Sequence, residues 1–107
     1  MTDSLVVLVT TPTPDEAAKM ARTVVGERLA ACANVVPGLR SIFRWEGEVK
    51  DEAETLLILK TTRDRLPLLV ARVEELHPYE VPEVLALSVE AGSARYLEWI
   101  TAETRNT

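Results

Sequence analysis

The apolar positions of the chain follow a strand pattern and then a helix pattern in its first third. Leu5–Val9 is a continuous run of aliphatic residues, which is typical of a strand that is buried on both faces. The segment after this run predicts a helix start, because Thr13 can cap the helix and Glu16 can complete a capping box. Apolar residues then recur at helical spacing as far as Leu29, and we expect the helix to end near Arg28.

The middle of the chain predicts a long β-hairpin. Ala30–Trp45 and Val49–Thr62 have strand character, and Glu46-Gly47-Glu48 between them predicts a tight turn. Pro37-Gly38 interrupts the first of these strands, which predicts a bulge or a bend. Both arms exceed the usual strand length of about five to six residues, so we expect the hairpin tip to extend past the body of one subunit.

A second helix, a fourth strand and a last helix follow the hairpin. Asp64 is predicted to cap the second helix, which ends at His77-Pro78 because a residue before proline avoids the helical conformation. Val84–Glu90 is predicted as the fourth strand. Ser93 is predicted to cap a short last helix.

This order of elements predicts an α+β fold, a ferredoxin-like βαββαβ sandwich with a short C-terminal helix. Right-handed crossovers in its two βαβ units would place both main helices on one face of a single sheet. The 107 residues suit a single domain, 1–107, with one hydrophobic core. Because this fold hosts many unrelated functions, the function has to be argued from individual side chains.

Composition narrows the class of function. The formal net charge of -5 argues against nucleic acid as a partner, since nucleic-acid binders favour a basic surface. One Cys cannot form an intrachain disulfide, no apolar run approaches the roughly 20 residues that span a bilayer, and no secretory signal is seen. We therefore expect a soluble protein of a reducing compartment with no membrane partner. The excess of Arg over Lys and the absence of Gln hint at a thermophilic source.

Two side chains are candidate metal ligands. Cys32 is either a soft-metal ligand or redox thiol, or a small buried residue among alanines. His77, the chain's one imidazole, is either a metal ligand or acid–base group, or a polar residue favoured by the dipole at a helix end. A tight site needs three or four ligands, so one His makes a poor site unless a symmetric oligomer supplies more.

Four further polar or aromatic residues suggest a site or an interface. Tyr79, Glu80 and Glu83 lie in a loop stiffened by two prolines, which is either a shallow polar site or a solvated connection. Trp45 lies near the hairpin tip, where a partner subunit would cover it unless it packs locally on the hairpin.

Lys60 follows a buried run and is predicted to face the same way as Leu56 and Ile58. Such a lysine needs a carboxylate such as Glu54 or an anionic ligand, unless its side chain reaches water at the strand end. The chain lacks the Arg-containing phosphate loop, the aromatic residues on the central strands Leu5–Val9 and Thr55–Leu59, and the Cys-x-x-Cys motif used by other ferredoxin-like proteins. No Ser/His/Asp or Cys/His pairing is close in the sequence, so we predict that the chain is not an enzyme.

Several motifs occur in a characteristic order: Leu29-Ala30-Ala31-Cys32-Ala33-Asn34 with Pro37-Gly38, Trp45-Glu46-Gly47, Leu59-Lys60-Thr61-Thr62 and His77-Pro78-Tyr79-Glu80-Val81-Pro82-Glu83. Together they resemble the CutA divalent-cation tolerance family, over nearly the whole chain. The resemblance implies a ferredoxin-like subunit in a tight homotrimer, similar to the signalling PII proteins, with the long hairpins pairing across subunits. It also implies a cytoplasmic role in tolerance to copper and other divalent cations.

The resemblance assigns roles to individual residues. Cys32 and His77 match family positions linked to metal. Some members have a Cys and a second His where this chain has Val9 and Leu76, so we expect only weak Cu2+ binding, through His77 alone or with neighbouring carboxylates. The residues that match the family's intersubunit cleft, which we expect to bind a ligand, are Trp45, Glu54, Lys60, Tyr79 and Glu80. The alternatives to a metal-binding or sensor role are a sensor of an anionic or zwitterionic metabolite in that cleft, and a structural trimeric scaffold.

Overall fold

The computed structural model describes residues 1–105 and has the predicted order of elements. The elements are β1 Ser4–Thr11, α1 Pro14–Gly26, β2 Cys32–Trp45, β3 Glu48–Thr62, α2 Leu66–Leu76, β4 Val84–Ser88 and α3 Ala94–Glu103. The strands form one antiparallel sheet in the spatial order β2-β3-β1-β4. The ferredoxin-like α+β prediction is thereby confirmed. No helix within these residues is long and apolar enough to cross a membrane.

One face of the sheet carries the hydrophobic core. Alternate residues of β1 and β3 point to this face, and α1 and α2 cover them. The buried core side chains include Val7, Val9, Leu57 and Leu59 of the sheet and Ala17, Met20, Val24, Leu69 and Val73 of the helices. Burying one such aliphatic side chain contributes about 1.5–3 kcal/mol before conformational entropy is counted. Both main helices are therefore held to the same face.

The opposite face of the sheet is left largely open. The prediction that Leu5–Val9 is buried on both faces is not met within one chain, because Val6 and Leu8 are only partly buried. By strand register, Leu8 lies between Ile58 of β3 and Leu85 of β4. Leu85 is 56% exposed. A single chain thus presents an apolar sheet surface to its surroundings.

The hairpin has the bulge and the tight turn that its sequence predicts. The β2–β3 register shifts between Val36 and Leu39, and Gly38 within the shift has a φ of +89°. At the tip, Glu46 and Gly47 have φ values of 50° and 80°. Positive φ at both central residues is the type I′ turn, whose twist matches that of the two strands.

The outer half of the hairpin extends beyond the rest of the sheet. β1 pairs with β3 only over Thr55–Thr62. The remaining part of β3 pairs only with β2, from Leu39–Glu54 to Trp45–Glu48. We call residues 39–54 the distal hairpin. Its extension past the body of the subunit agrees with the prediction.

The predicted N-cap of α1 is confirmed, whereas that of α2 is not. Thr13 caps α1, since its hydroxyl oxygen accepts a 3.2 Å hydrogen bond from the backbone N–H of Glu16. The prediction that Asp64 caps α2 is wrong, because Arg65 occupies the N-cap position and makes no side-chain cap bond. Asp64 instead accepts a 2.7 Å hydrogen bond from the hydroxyl of Thr62. The hydroxyl of Thr62 thus takes the carboxylate of Asp64 in place of the backbone N–H groups at the start of α2.

Two predicted elements, α1 and β4, also end earlier than expected. α1 ends at Gly26 rather than near Arg28, which has a left-handed φ of 61°. β4 ends at Ser88 instead of Glu90, although Val89 still exchanges backbone hydrogen bonds with the first residues of the chain.

Candidate functional site

The loop 77–83 brings Tyr79 against the distal hairpin. The phenol donates a 2.8 Å hydrogen bond to Oε2 of Glu54, a β3 residue that is 8% exposed. Burial, then this hydrogen bond and the charges of Glu54, Glu52 and Glu16, raise the pKa of Tyr79 well above its usual value. The phenol is therefore a neutral donor to a buried carboxylate.

His77 anchors the same loop through both of its ring nitrogens. Nε2 lies 2.7 Å from the carbonyl oxygen of Thr10, and Nδ1 accepts a 3.1 Å hydrogen bond from the backbone N–H of Tyr79. Because a carbonyl only accepts and an amide N–H only donates, this pattern assigns the neutral tautomer with hydrogen on Nε2. The imidazole is buried, and its centroid lies 4.7 Å from that of the Tyr79 ring. A metal ion at either nitrogen would have to displace one of these hydrogen bonds.

Two adjoining cavities open between the distal hairpin and the loop. The first, of about 390 Å³, is lined by Phe43, Trp45, Lys50, Glu52, Pro78, Tyr79, Glu80 and Val81. The second, of about 370 Å³, is lined by Thr10, Ser41, Ile42, Phe43, Trp45, Glu54, Tyr79, Val81 and Glu83. Four of the five cleft residues expected from the sequence thus lie together: Trp45, Glu54, Tyr79 and Glu80.

Lys60, the fifth expected cleft residue, lies apart from this group within the chain. Its ammonium hydrogen-bonds to the side-chain oxygen of Asn34 and lies 3.7 Å from Sγ of Cys32. Six positions along β3 separate Lys60 from Glu54, a strand length of about 20 Å. Its partners are therefore an amide and a thiol rather than Glu54, the carboxylate that the sequence suggested.

Cys32 lies in a small polar group beneath α3. Its Sγ lies 3.7 Å from the hydroxyl of Tyr96 and, on the other side, next to Lys60. The Tyr96 ring stacks on Trp99 with 5.6 Å between centroids. The hydrogen bond to Cys32, followed by burial, raises the pKa of Tyr96. The partly buried thiol thus has an ammonium and a phenol as neighbours rather than other metal ligands.

The candidate metal ligands do not form a shared site within one chain. Among residues 1–105, no three His, Cys, Asp or Glu side chains are grouped around a common position. Cys32 lies beneath α3, whereas His77 lies in the loop that contacts the hairpin. Val9 and Leu76, the positions at which the resemblance implies ligands in some family members, belong to the core or pack against it.

Sequence reasoning missed two charged residues of the cavity lining, Lys50 and Glu52. Both precede Glu54 on β3 at intervals of two residues. Side chains at such intervals share one face of a strand. The same alternation that grouped Lys60 with Leu56 would have found them if it had been continued toward the hairpin tip.

The sequence was compared with known protein families. Residues 5–103 match the family model described as CutA1 divalent ion tolerance protein. The chain belongs to the CutA family. It is 50% identical over 99 residues to the divalent-cation tolerance protein CutA of Thermus thermophilus, an alignment that covers 92% of this chain and 96% of that protein.

Other CutA relatives include a longer protein named as chloroplastic and one named as periplasmic. The chain is 48% identical to a protein named CutA, chloroplastic, from Arabidopsis thaliana. The alignment covers 96% of this chain and 57% of that protein. The solved CutA1 structure from Thermus thermophilus superposes with a TM-score of 0.93 at 49% identity, covering 95% of this chain and 99% of the other. The structure of a periplasmic divalent cation tolerance protein CutA from Archaeoglobus fulgidus superposes with a TM-score of 0.92 at 29% identity. That superposition covers 95% of this chain and 99% of the other.

Proposed function

We propose that this CutA chain acts as a homotrimer in cytoplasmic tolerance to divalent cations, copper among them, and does not catalyse a reaction. Membership of a family named for divalent ion tolerance supports the cation role. The observation that carries the assembly is the open apolar face of the sheet. The stoichiometry of three subunits is what the resemblance to the CutA family implies.

The open face has the chemistry of a subunit interface. Leu85 and Leu87 of β4 are 56% and 53% exposed and lie in register with Leu8 and Val6 of β1. Apolar surface removed from water contributes about 25 cal/mol per Å². Contiguous apolar patches on soluble proteins mark interaction sites. A closed symmetric oligomer covers such a face on every copy at once.

The distal hairpin supports the same assembly. Its outward side chains include Ile42 and Val49, which are 66% and 65% exposed. An isolated two-stranded hairpin is marginally stable in water, so contact with a neighbouring subunit would stabilise it. Such contact would also cover Trp45, which is 38% exposed in the single chain.

Light scattering coupled to gel filtration tests the assembly. Leu87→Asp puts a charge on the open sheet face, and Leu68→Asp is its matched control on α2, because both leucines are 53% exposed. We expect a trimer mass for the wild type and for L68D, and a smaller mass for L87D. A monomeric wild type at micromolar concentration contradicts the proposal.

Copper is the divalent cation that we propose, bound weakly. Cu2+ has the highest affinity of the divalent first-row ions for nitrogen and sulfur donors. The sequence suggests His77 and Cys32 as its ligands, but both ring nitrogens of His77 are engaged in hydrogen bonds, so of the two we propose Cys32 as the donor. Within residues 1–105 neither side chain belongs to a group of three donors. Calorimetric titration of Cu2+ into the wild type, Cys32→Ala and His77→Gln measures the contribution of each.

A second candidate function is the sensing of a small molecule in the two adjoining cavities, and a third is a purely structural scaffold. The cavity lining of aromatic and charged side chains favours the second. Measuring the metal tolerance of cells that carry each variant distinguishes these candidate functions. Loss of tolerance with Trp45→Leu and Glu54→Gln supports ligand sensing, whereas loss with Leu87→Asp alone supports the scaffold.

A further inference from the structure

His77 is buried by groups of its own chain. It is the C-cap residue of α2 and is 7% exposed. Its ring contacts the carbonyl oxygen of Thr10 in β1, the backbone N–H of Tyr79 and the Tyr79 ring. All of these contacts are made within one subunit, so they do not depend on which face a neighbouring subunit covers.

A continuous series of hydrogen bonds runs through this ring from β1 to β3. Nε2 of His77 donates to the carbonyl oxygen of Thr10, and Nδ1 accepts from the backbone N–H of Tyr79. The phenol of Tyr79 in turn donates to the carboxylate of Glu54 at the base of the distal hairpin. We call these four residues the latch. It ties the loop 77–83 to the sheet at one end and to the distal hairpin at the other.

Only the neutral imidazole can complete the latch. A protonated histidine donates from both ring nitrogens and accepts at neither. Its Nδ1–H would face the N–H of Tyr79, so two donors would oppose each other where a 3.1 Å hydrogen bond now stands. The bond from Nε2–H to Thr10 would persist and gain strength, because its donor would carry charge. Protonation therefore breaks the latch at one link, the link between the ring and the amide of Tyr79.

The charged side chains on the elements around the ring are mostly acidic. They are Glu16 and Lys19 of α1, Lys50, Glu52 and Glu54 of β3, Glu74 and Glu75 in the last turn of α2, and Glu80 and Glu83 of the loop itself. The strand β1 carries no charged residue. Carboxylates attract a positive ring, whereas burial and the lost hydrogen bond oppose it. The surroundings thus supply opposite charge to an imidazolium once Tyr79 is released.

We propose that the latch is acid-sensitive: protonation of His77 releases the backbone of Tyr79 and so loosens the loop 77–83 from the distal hairpin. Histidine is the side chain that ordinarily changes charge between about pH 5 and 8. The closed latch binds one proton fewer than the open one, so each fall of one pH unit through the titration favours the open form by up to about tenfold. The latch goes beyond the proposed function, since every group in it belongs to one chain.

Nuclear magnetic resonance of the ¹⁵N-labelled full chain tests the latch between about pH 8 and pH 5. His77 is the only histidine, so the ring signals need no assignment. At pH 8 we expect the neutral ring with hydrogen on Nε2. As the pH falls, the ring signals and the amide signal of Tyr79 should shift with one common midpoint. The Tyr79 amide should also exchange with solvent about tenfold faster at pH 5, after correction for the intrinsic pH dependence of exchange.

Two results of this titration overturn the proposal. One is a ring that titrates while the amide of Tyr79 keeps its position and its exchange rate. The other is a ring that stays neutral down to pH 5, which makes His77 a permanent structural anchor.

His77→Gln removes the titrating group, and Glu74→Gln is the control that removes a charge from the exposed surface of the same helix. We expect the amide of Tyr79 to respond to pH in the wild type and in E74Q, and to lose this response in H77Q. A response that persists in H77Q assigns the change to a carboxylate and overturns the role of His77.

Tyr79→Phe tests the second half of the latch and keeps His77 in place. It leaves the backbone N–H at position 79 and removes the phenol that reaches Glu54. We expect the amide at position 79 still to follow the ring of His77, whereas the amide of Glu54 should follow it only in the wild type. An equal response of Glu54 in both proteins overturns the transmission to the distal hairpin.

Discussion

Tyr79 and Glu54 are 25 residues apart in the chain, and their side chains are joined by a 2.8 Å hydrogen bond. This bond connects the loop 77–83 to β3 at the base of the distal hairpin. On one side of it lies a carboxylate that is 8% exposed, and on the other a phenol that lines both cavities. The pair therefore holds together two opposite walls of the candidate site.

Replacing Tyr79 by Phe removes the donor of this bond and keeps the ring. The buried carboxylate of Glu54 then lacks its partner, and we expect the free energy of unfolding to fall by about 1–3 kcal/mol. Chemical denaturation followed by circular dichroism measures the change. Tyr96→Phe is the control and should cost less, since within the described residues 1–105 the Tyr96 hydroxyl bonds only to the thiol of Cys32, at 3.7 Å. Equal losses for the two variants would contradict a special role for the Tyr79–Glu54 bond.

The raised pKa values of Tyr79 and Tyr96 predict an unusual alkaline titration, because these are the only two tyrosines. A tyrosine whose folded pKa exceeds the unfolded value of about 10 contributes stability that is fully present below that pH. That stability is lost as the pH rises above 10 toward the folded pKa. We expect the ultraviolet absorbance of the native protein at pH 10 to show less tyrosinate than the half-ionisation of unperturbed tyrosines. Normal half-ionisation at that pH would refute the prediction.

His77→Gln should destabilise the loop without changing the binding of Cu2+. Both ring nitrogens of His77 are engaged with backbone groups, at Thr10 and Tyr79, so the ring has no free donor for the ion. We expect calorimetry to give the same affinity and stoichiometry as for the wild type, with a lower melting temperature. A tenfold loss of Cu2+ affinity in the variant would instead identify His77 as a ligand.

Two glycine substitutions should change stability in opposite directions. Gly47 has a φ of +80° in the hairpin turn, so Gly47→Ala should cost about 1–2 kcal/mol. Gly26 ends α1 without a positive φ, and an added Cβ there would meet no atom within 4 Å. Gly26→Ala should therefore stabilise the protein by about 0.4–1 kcal/mol, because it restricts the unfolded chain. Thermal unfolding of the two variants beside the wild type checks both signs, and a stabilised G47A would exclude the turn assignment.

Most of the fold could be predicted because its signals are local. Thr13 caps α1 through a hydroxyl that reaches only three residues along the chain. The bulge near Gly38 follows from a Pro-Gly pair that cannot continue a regular ladder. The cap of α2 was missed for an equally local reason, since the carboxylate of Asp64 has two possible donors and bonds to Thr62.

The candidate site could be predicted only in part, because its members come from three separate segments. The motif around Trp45 and the loop after His77 identified Trp45, Tyr79 and Glu80 of the lining. The spacing of residues did not reveal that Lys60 would contact Cys32 instead of Glu54. That choice depends on the β2–β3 register, which places Cys32 directly opposite Lys60.

The sequence by itself determined the order of strands and helices, the single core and membership of the CutA family. These follow from hydrophobic periodicity, capping residues and short motifs, all of which act over a few residues. Only the tertiary structure decided which groups line the cleft and which hydrogen bonds His77 makes. Both depend on groups that are far apart in the chain, since strand register and loop packing bring Glu54 to Tyr79 and Thr10 to His77.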